Sequence, residues 1–548
     1  MKETIQGGKS MNSLRKCWYS SSIDFANKIP NTTASTNNGI SGRVKWNPPP
    51  IPHRKIPEPR GQDLDFVNIA HSHLLHLDWA KLDALADALT PFRIKHILLK
   101  LHKDHVLSLE FFDWVELRRP QIHTLDSYSI ILHILTKAYK FGTAQFLLMN
   151  TVIPKTLDSP SKLFDAILYS YRLCDSSPRV FDSLFKTYAH MKKFRNATDT
   201  FCQMKFHGFL PTIESCNAYM SSLINLQRTD IALSFYREMR RCRISPNIYT
   251  LNMVVCALCK MGRLEKAMEV FNEMETMGCT PTIASFNTLI AGYCNHGTLS
   301  LAMKLKSTVE MNGCHPNVVT YNTLIRGFCK EGKLHEANKI FTEMKVTNVT
   351  PNTITYNTLI DGYSQLGNSE MSGRLYDEMV RNGVKVDILT YNALILGLCK
   401  DGKTKRAAYL VKELGKENLV QNASTYSALI SGQCMRQNSE RAFQLYKSMK
   451  RSGCQPNAGT FKMLISTFCK NEDFDGAAQV LREMLDRCMA PDSGLLGEIC
   501  EGLCKCRKVE LATKLCNEIE AKHFMPEGFN RAEYIIDEPE IESTKVTP

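Results

Sequence analysis

The stretch Val318–Asn352, VVTYNTLIRGFCKEGKLHEANKIFTEMKVTNVTPN, is followed at once by TITYNTLIDGYSQLGN from Thr353. The letters YNTLI at Tyr321–Ile325 return at Tyr356–Ile360, a shift of 35 residues. Aligned on them, ten consecutive units of 35 residues run without insertion or deletion. They start at Pro178, Ile213, Ile248, Ile283, Val318, Thr353, Ile388, Ala423, Ala458 and Ser493, and the last ends at Glu527. A fixed period of this size marks a stacked array of small supersecondary units.

Each unit reads as a helical hairpin. Tyr321, Leu324, Ile325, Phe328 and Cys329 fall on one face of a helix, at i, i+3, i+4, i+7 and i+8. Gly332 stands where that helix should stop, in a role suited to a left-handed cap. Leu334, Ala337, Phe341 and Met344 form a second stripe, and Pro351 breaks the chain before the next unit. The twentieth residue is Ala in nine units and Ser372 in the other, a small side chain that lets two helices approach closely. The twelfth is Cys in seven units (Cys259, Cys294, Cys329, Cys399, Cys434, Cys469 and Cys504). Thiols one whole repeat apart cannot converge on one metal, so they read as small core residues. Cys256 and Cys259 make a lone C-x-x-C that reads as a helix face.

Composition agrees with a packed, all-α protein: 43% of the 548 residues are apolar and 22% charged, which is not the balance of a disordered chain. No uncharged apolar run is long enough to span a bilayer. Twenty cysteines without a secretory signal point to a reducing compartment. The net charge of +13 favours a polyanionic partner, but residues 1–60 hold ten Lys/Arg against three acidic residues, so over half the excess sits at the N-terminus.

The segment from Met11, MNSLRKCWYSSSIDFANKIPNTTASTNNG, is rich in Ser, Thr and Asn and carries a single acid, Asp24. That is the composition of an organellar transit peptide, with Met11 a candidate start; a plain cytosolic tail is the alternative. RKCWYSSS is similar to mitochondrial cleavage sites, which favours the mitochondrion over the chloroplast. Six prolines between Pro48 and Pro59 suggest a stiff linker. The expected organisation is therefore a leader and proline-rich disordered linker over 1–60, degenerate helical repeats acting as a cap over 61–177, the array over 178–527, and an acidic tail over 528–548. Within the cap, RIKHILLKLHKDHVLSLEFFDWVELRRP reads as two helices and LDSYSIILHILTKAYKFGTAQFLLM as two more.

A tetratricopeptide array would have a 34-residue period and a tryptophan in the first helix. The period here is 35, and residues 178–527 contain no Trp. The repeated pattern, VVTYNTLIRGFCKEGKLHEANKIFTEM…P, closely resembles the pentatricopeptide repeat family, of the P class built only of 35-residue units. The resemblance implies a right-handed superhelical solenoid of helix-turn-helix repeats that binds single-stranded RNA in plant organelles, one base per repeat. It implies roles in transcript stabilisation, processing, splicing or translation, with other RNA-processing proteins as partners and no small-molecule substrate or cofactor.

In that family the fifth and thirty-fifth residues of a unit together read the base. The matching pairs here are Asn217/Asn247, Asn252/Thr282, Asn287/Asn317, Asn322/Asn352 and Asn392/Asn422, which resemble pyrimidine readers. Asn357/Asp387 resembles a uracil reader and Ser427/Asn457 an adenine reader. The implied core target is 5′-YYYYUYA-3′, where Y is C or U. Asp182/Thr212, Lys462/Asp492 and Gly497/Glu527 depart from the pattern and receive no base. An asparagine amide carries both donor and acceptor, as base reading needs, but Asn near a helix start is also an ordinary cap. Lys260, Lys330, Lys400, Lys470 and Lys505, the thirteenth residues of five units, either neutralise RNA phosphates or balance the negative end of a helix.

Nothing in the sequence reads as an enzyme. A zinc deaminase needs H-x-E with a downstream C-x-x-C, and no H-x-E occurs. No phosphate-cradling glycine loop is present, and the tail offers no framework for the carboxylates of a nuclease. A protein-binding helical scaffold without RNA selectivity is the alternative function.

Overall fold

The computed structural model describes residues 48–52, 56–156, 160–311, 313, 315–526 and 529–530. The expected transit peptide and nearly all of the acidic tail lie outside the described residues, as does Glu527. Among the described residues the only regular secondary structure is helical, and the chain divides into two compact units, Met1–Ser285 and Phe286–Pro548.

In the second unit hairpin follows hairpin: Val318–Lys330 with Leu334–Val346, Thr353–Gln365 with Ser369–Arg381, Ile388–Lys400 with Thr404–Lys416. Ala423–Met435 with Ser439–Arg451, Ala458–Lys470 with Phe474–Asp486, and Ser493–Lys505 with Val509–Ala521 complete the run. The first helix of each hairpin packs on the first helix of the next, so the array is a stack of two helical layers. The apolar stripes account for this. Tyr321, Leu324, Ile325, Phe328, Leu334, Ala337, Phe341 and Met344 are all buried. Each large side chain among them contributes about 1.5–3 kcal/mol on leaving water. The tyrosine keeps its polar tip satisfied across the hairpin: Tyr321 Oη bonds Glu343 Oε1 at 3.2 Å and Thr347 Oγ1 at 3.1 Å.

The turns follow from local chemistry. Gly332 has φ 70°; its N–H donates to the Cys329 carbonyl at 3.0 Å, and the Lys333 N–H donates to the Phe328 carbonyl at 2.9 Å. This closes the helix with a Schellman motif in the left-handed region that glycine enters at least cost. At the other end Asn352 caps the next helix. Its Oδ1 accepts from the Thr355 N–H at 3.1 Å, while its own N–H donates to Thr355 Oγ1 at 3.1 Å, a reciprocal capping box.

Close approach between successive first helices depends on one small pair. A β-carbon placed on Gly327 would stand 2.7 Å from Cys294 Sγ, and one on Gly362 would stand 2.8 Å from Cys329 Sγ. Where Ser364 replaces the cysteine, it faces Gly397 in the same way. The twelfth-residue cysteines therefore fill the seam between repeats. Burial pushes the Cys329 and Cys469 thiols up to about 12 and the Cys399 thiol up to about 11, which keeps them protonated. Among the described residues no His/Cys/Asp/Glu group is placed to hold a metal ion.

The first unit ends in three hairpins of the same kind, with first helices Arg179–His190, Ile213–Asn225 and Ile248–Lys260. Ahead of them lie Pro91–Lys100 with His105–Arg118 and Leu125–Lys137 with Phe141–Leu147, the latter continuing through a π turn at Leu148–Val152. Sequence reading expected helices over 61–177 but named none at Gln62–Leu75, Trp79–Asp83 or Pro160–Ser170; the last packs on Leu125–Lys137, where His133 Nε2 meets the Ile167 carbonyl at 2.9 Å. Leu125–Lys137 is buried from Ser127 to Thr136 on every side, and its apolar run therefore lacks helical periodicity. The proline-rich segment, expected as a free linker, touches this unit at two places. Pro48 fills the space that a side chain at Gly208 would need, and Ile56 and Pro57 line a groove with Pro91, Phe92 and Lys95. Proline rings bury apolar surface without a backbone N–H to satisfy at those points. No helix among the described residues is long and apolar enough to cross a membrane.

Candidate nucleic-acid interface

The fifth residue of a repeat lies one turn into its first helix, and the thirty-fifth is the N-cap of the next first helix. Cap and interior are thus different residues. The side chains of Asn247, Asn317, Asn352, Asp387, Asn422 and Asn457 all cap helices. Asn217, Asn287, Asn322, Asn357 and Asn392 sit inside helices and reach across to those caps.

Five pairs meet directly. Asn217 Nδ2 donates to Asn247 Oδ1 at 3.1 Å, Asn287 to Asn317 at 3.3 Å, and Asn322 to Asn352 at 3.3 Å. Asn357 donates to Asp387 Oδ1 at 3.0 Å and Asn392 to Asn422 Oδ1 at 3.1 Å. Capping fixes the orientation. A backbone N–H can be met only by oxygen, so the Oδ1 of the thirty-fifth residue faces the helix and its remaining atom faces away. For asparagine that atom is an NH2 donor; for Asp387 it is an acceptor oxygen. Burial works to raise the Asp387 pKa, but hydrogen bonds from Thr390 and Asn357 outweigh it, and the carboxyl titrates below its ordinary range.

The other pairs differ. Asn252 and Thr282 are not joined in this way: Thr282 turns to Ser285, and Asn252 Oδ1 is buried with no hydrogen-bond partner. Ser427 Oγ bonds Thr460 Oγ1 at 2.7 Å, and Asn457 caps Thr460 N–H at 2.8 Å, so this pair communicates through Thr460. Two pairs left without a base are also joined, one by hydrogen bonds and one by an ion pair. Asp182 accepts from the Thr212 backbone, Thr212 Oγ1 and Ser215 Oγ, and Lys462 pairs with Asp492 at 2.8 Å.

Sequence reading passed over the second residue of each first helix. Tyr249, Val319, Ile354 and Leu389 are large, apolar and 58–71% exposed. Each lies three residues before Asn252, Asn322, Asn357 or Asn392 and so shares its helix face. The signal was available in the letters, as an apolar residue off the buried stripe. A flat polar amide beside an exposed apolar side chain is a surface suited to a planar ring with a hydrogen-bonding edge.

Three of the five thirteenth-residue lysines have an acceptor in the preceding repeat. Lys260 Nζ donates to the Ile224 carbonyl at 3.2 Å, Lys330 to the Asn295 carbonyl at 2.8 Å, and Lys400 to the Gln365 carbonyl at 2.8 Å. These carbonyls end the neighbouring first helix, where a cation is favourable. Lys505 instead pairs with Glu501 at 2.7 Å in its own helix, and Lys470 is exposed. Lys400→Gln is expected to cost about 0.5 kcal/mol in thermal or urea melts and to leave the salt dependence of binding to a single-stranded polyanion unchanged. A slope of log affinity against log salt reduced by about 0.7 would assign the ammonium to a phosphate.

Comparison with known proteins places these features in context. The model described as PPR repeat family matches residues 211–260, 248–295, 281–330, 316–365, 351–400, 386–435 and 421–470, and the PPR repeat model matches 459–489. Together they cover more than half of the chain. A mitochondrial pentatricopeptide repeat-containing protein of Arabidopsis thaliana is 64% identical over 196 residues, 36% of this chain and 38% of that one. A second Arabidopsis pentatricopeptide repeat-containing protein is 33% identical over 168 residues, 30% of this chain and 22% of its own length. The chain thus spans well under half the length of these relatives. The crystal structure of the pentatricopeptide repeat protein PPR10 from maize aligns with 84% of this chain and 74% of its own, at 19% identity and a TM-score of 0.46.

Proposed function

Since the chain belongs to the PPR repeat family, we propose that it is a sequence-specific single-stranded RNA-binding protein of organellar RNA metabolism, reading one base per repeat. The observation that carries this reading is the recurrence, in five repeats, of an interior asparagine bonded to the cap of the next helix. A surface used only for protein contacts needs no such repeated polar geometry. The proposed core target is 5′-YYYYUYA-3′. At Asn357/Asp387 the pair offers a donor and an acceptor, complementary to a uracil carbonyl and its N3–H. The asparagine pairs offer donors, which both pyrimidines can accept. The mitochondrion is the proposed site of action, supported by the name of the relative at 64% identity and by the leader composition. Stabilisation, processing, splicing and translation all use the same bound state.

The test is equilibrium binding of the full chain to 5′-CCCCUCA-3′ within an inert single-stranded context. The expected result is binding at least tenfold tighter than to the same sequence in duplex form or with purines at the first six positions. Equal binding to all three would overturn the proposal and favour a protein-binding scaffold.

A further inference from the structure

In five first helices the third residue is a threonine whose hydroxyl is bonded to the fifth-residue asparagine of the repeat before it. Thr250 Oγ1 donates to Asn217 Oδ1 at 2.7 Å, Thr320 to Asn287 at 2.7 Å, and Thr355 to Asn322 at 2.7 Å. Thr390 donates to Asn357 at 2.7 Å and Thr425 to Asn392 at 2.6 Å. The same oxygen accepts the N–H of the capping residue, at 3.1 Å from Asn317 and from Asn352. All five threonines are fully buried. A hydroxyl has one hydrogen, and its shortest contact in each repeat is with the fifth residue.

We propose that this threonine is a positioning residue for base recognition: it clamps the reader's carbonyl so that only one amide hydrogen and one oxygen lone pair face the base. The inference rests on the RNA-binding reading above. Without the clamp the amide turns, exchanging donor for acceptor at the base edge, and selectivity at that nucleotide falls.

The chain contains its own unclamped case. At Asn252 the third residue is Ser285, whose hydroxyl faces Thr282 (Thr282 N–H at 3.2 Å, Thr282 Oγ1 at 3.3 Å), and Asn252 Oδ1 is left buried without a partner. A buried carbonyl in that state costs free energy and has no fixed orientation. The second nucleotide of the target is therefore read loosely, although its fifth residue is the same asparagine as its neighbours'.

The test measures binding of the full chain to four RNAs that differ only at the nucleotide facing Asn322, the fourth of the target, and to four that differ at the second. The native chain is expected to prefer pyrimidine over purine by about tenfold at the fourth nucleotide and by less than about threefold at the second, the range of one neutral hydrogen bond. Thr355→Val is expected to flatten the fourth preference to that of the second while leaving the second unchanged; Thr355→Ser, which keeps the hydroxyl, is expected to restore it. Thr282→Asn with Ser285→Thr, which installs the clamp at Asn252, is expected to sharpen the second. A purely structural threonine would lower affinity for all eight RNAs alike and leave the ratios unchanged, which would overturn the inference. Native protein that ignores base identity at every position would instead overturn the RNA-binding reading itself.

Discussion

Asp387→Asn is expected to erase the preference for uracil over cytosine at the fifth nucleotide, from about tenfold in the native chain to near parity. The argument is one atom wide. Asp387 Oδ1 is committed to the Thr390 N–H at 3.0 Å and to Asn357 Nδ2 at 3.0 Å, which leaves Oδ2 to accept the uracil N3–H. Asparagine keeps the first oxygen and replaces the second with NH2, a donor that cytosine N3 accepts and uracil N3–H repels. Stability should change little, because asparagine already caps Val318–Lys330, Thr353–Gln365 and Ala423–Met435 in the same geometry. The carboxyl of Asp387 is held below its ordinary pKa in the folded chain. Its stabilising hydrogen bonds are thus present above the unfolded pKa and are lost as pH falls through the folded value. The native uracil preference should accordingly hold through neutral and mildly acidic pH. Competition binding with the two RNAs at several pH values measures this; an unchanged ratio in the variant would sink the assignment.

Gly362→Val is expected to cost about 3 kcal/mol, the largest stability loss among the substitutions considered, whereas Gly373→Ala, eleven residues on, is expected to gain about 0.5–1 kcal/mol. Both glycines are helical, so propensity alone predicts the same sign. Packing separates them. A β-carbon on Gly362 meets Cys329 Sγ at 2.8 Å and Leu334 Cδ2 at 3.1 Å, and valine adds two methyl groups there. Nothing stands within 4 Å of a β-carbon on Gly373. Urea melts of the two variants should move in opposite directions. A Gly362→Val protein as stable as the native chain would mean that the first helices do not approach this closely.

The hairpins were legible because their periodicity is local: Tyr321, Leu324, Ile325 and Phe328 declare a buried face without reference to any other repeat. The pairing of Asn322 with Asn352 was legible only through family resemblance. Chain spacing places the two 30 residues apart but does not say that they touch. Thr355 went unnoticed as a positioning residue for a physical reason. Threonine recurs at that position in six of the ten repeats, and recurrence in an array looks like scaffold. The acceptors of Lys330 and Lys400 lie 35 residues back, so a reading confined to one helix assigned them to their own helix end or to phosphate. Cys329 read as a small core residue, and it fills the seam between two first helices, but its counterpart, Gly362, belongs to the next repeat. At the N-terminus, Pro160–Ser170 was missed because the helix it packs on, Leu125–Lys137, is not its neighbour in sequence, so it falls outside the alternation that identifies a hairpin.

The capping contact at Asn352 has a consequence for anyone who would rebuild this chain. The letters repeat every 35 residues, yet the group proposed to read one base comprises Asn322, Asn352 and Thr355, and its last member lies beyond the letter-defined boundary at Thr353. A graft cut at that boundary transplants two members and inherits the third from the host. The three members span 34 residues, within one period, so the transferable cassette is a 35-residue unit cut three residues later, Tyr321–Thr355, out of phase with the letters. A graft made in that phase keeps each proposed reading group whole and moves the junction into the first turn of a helix.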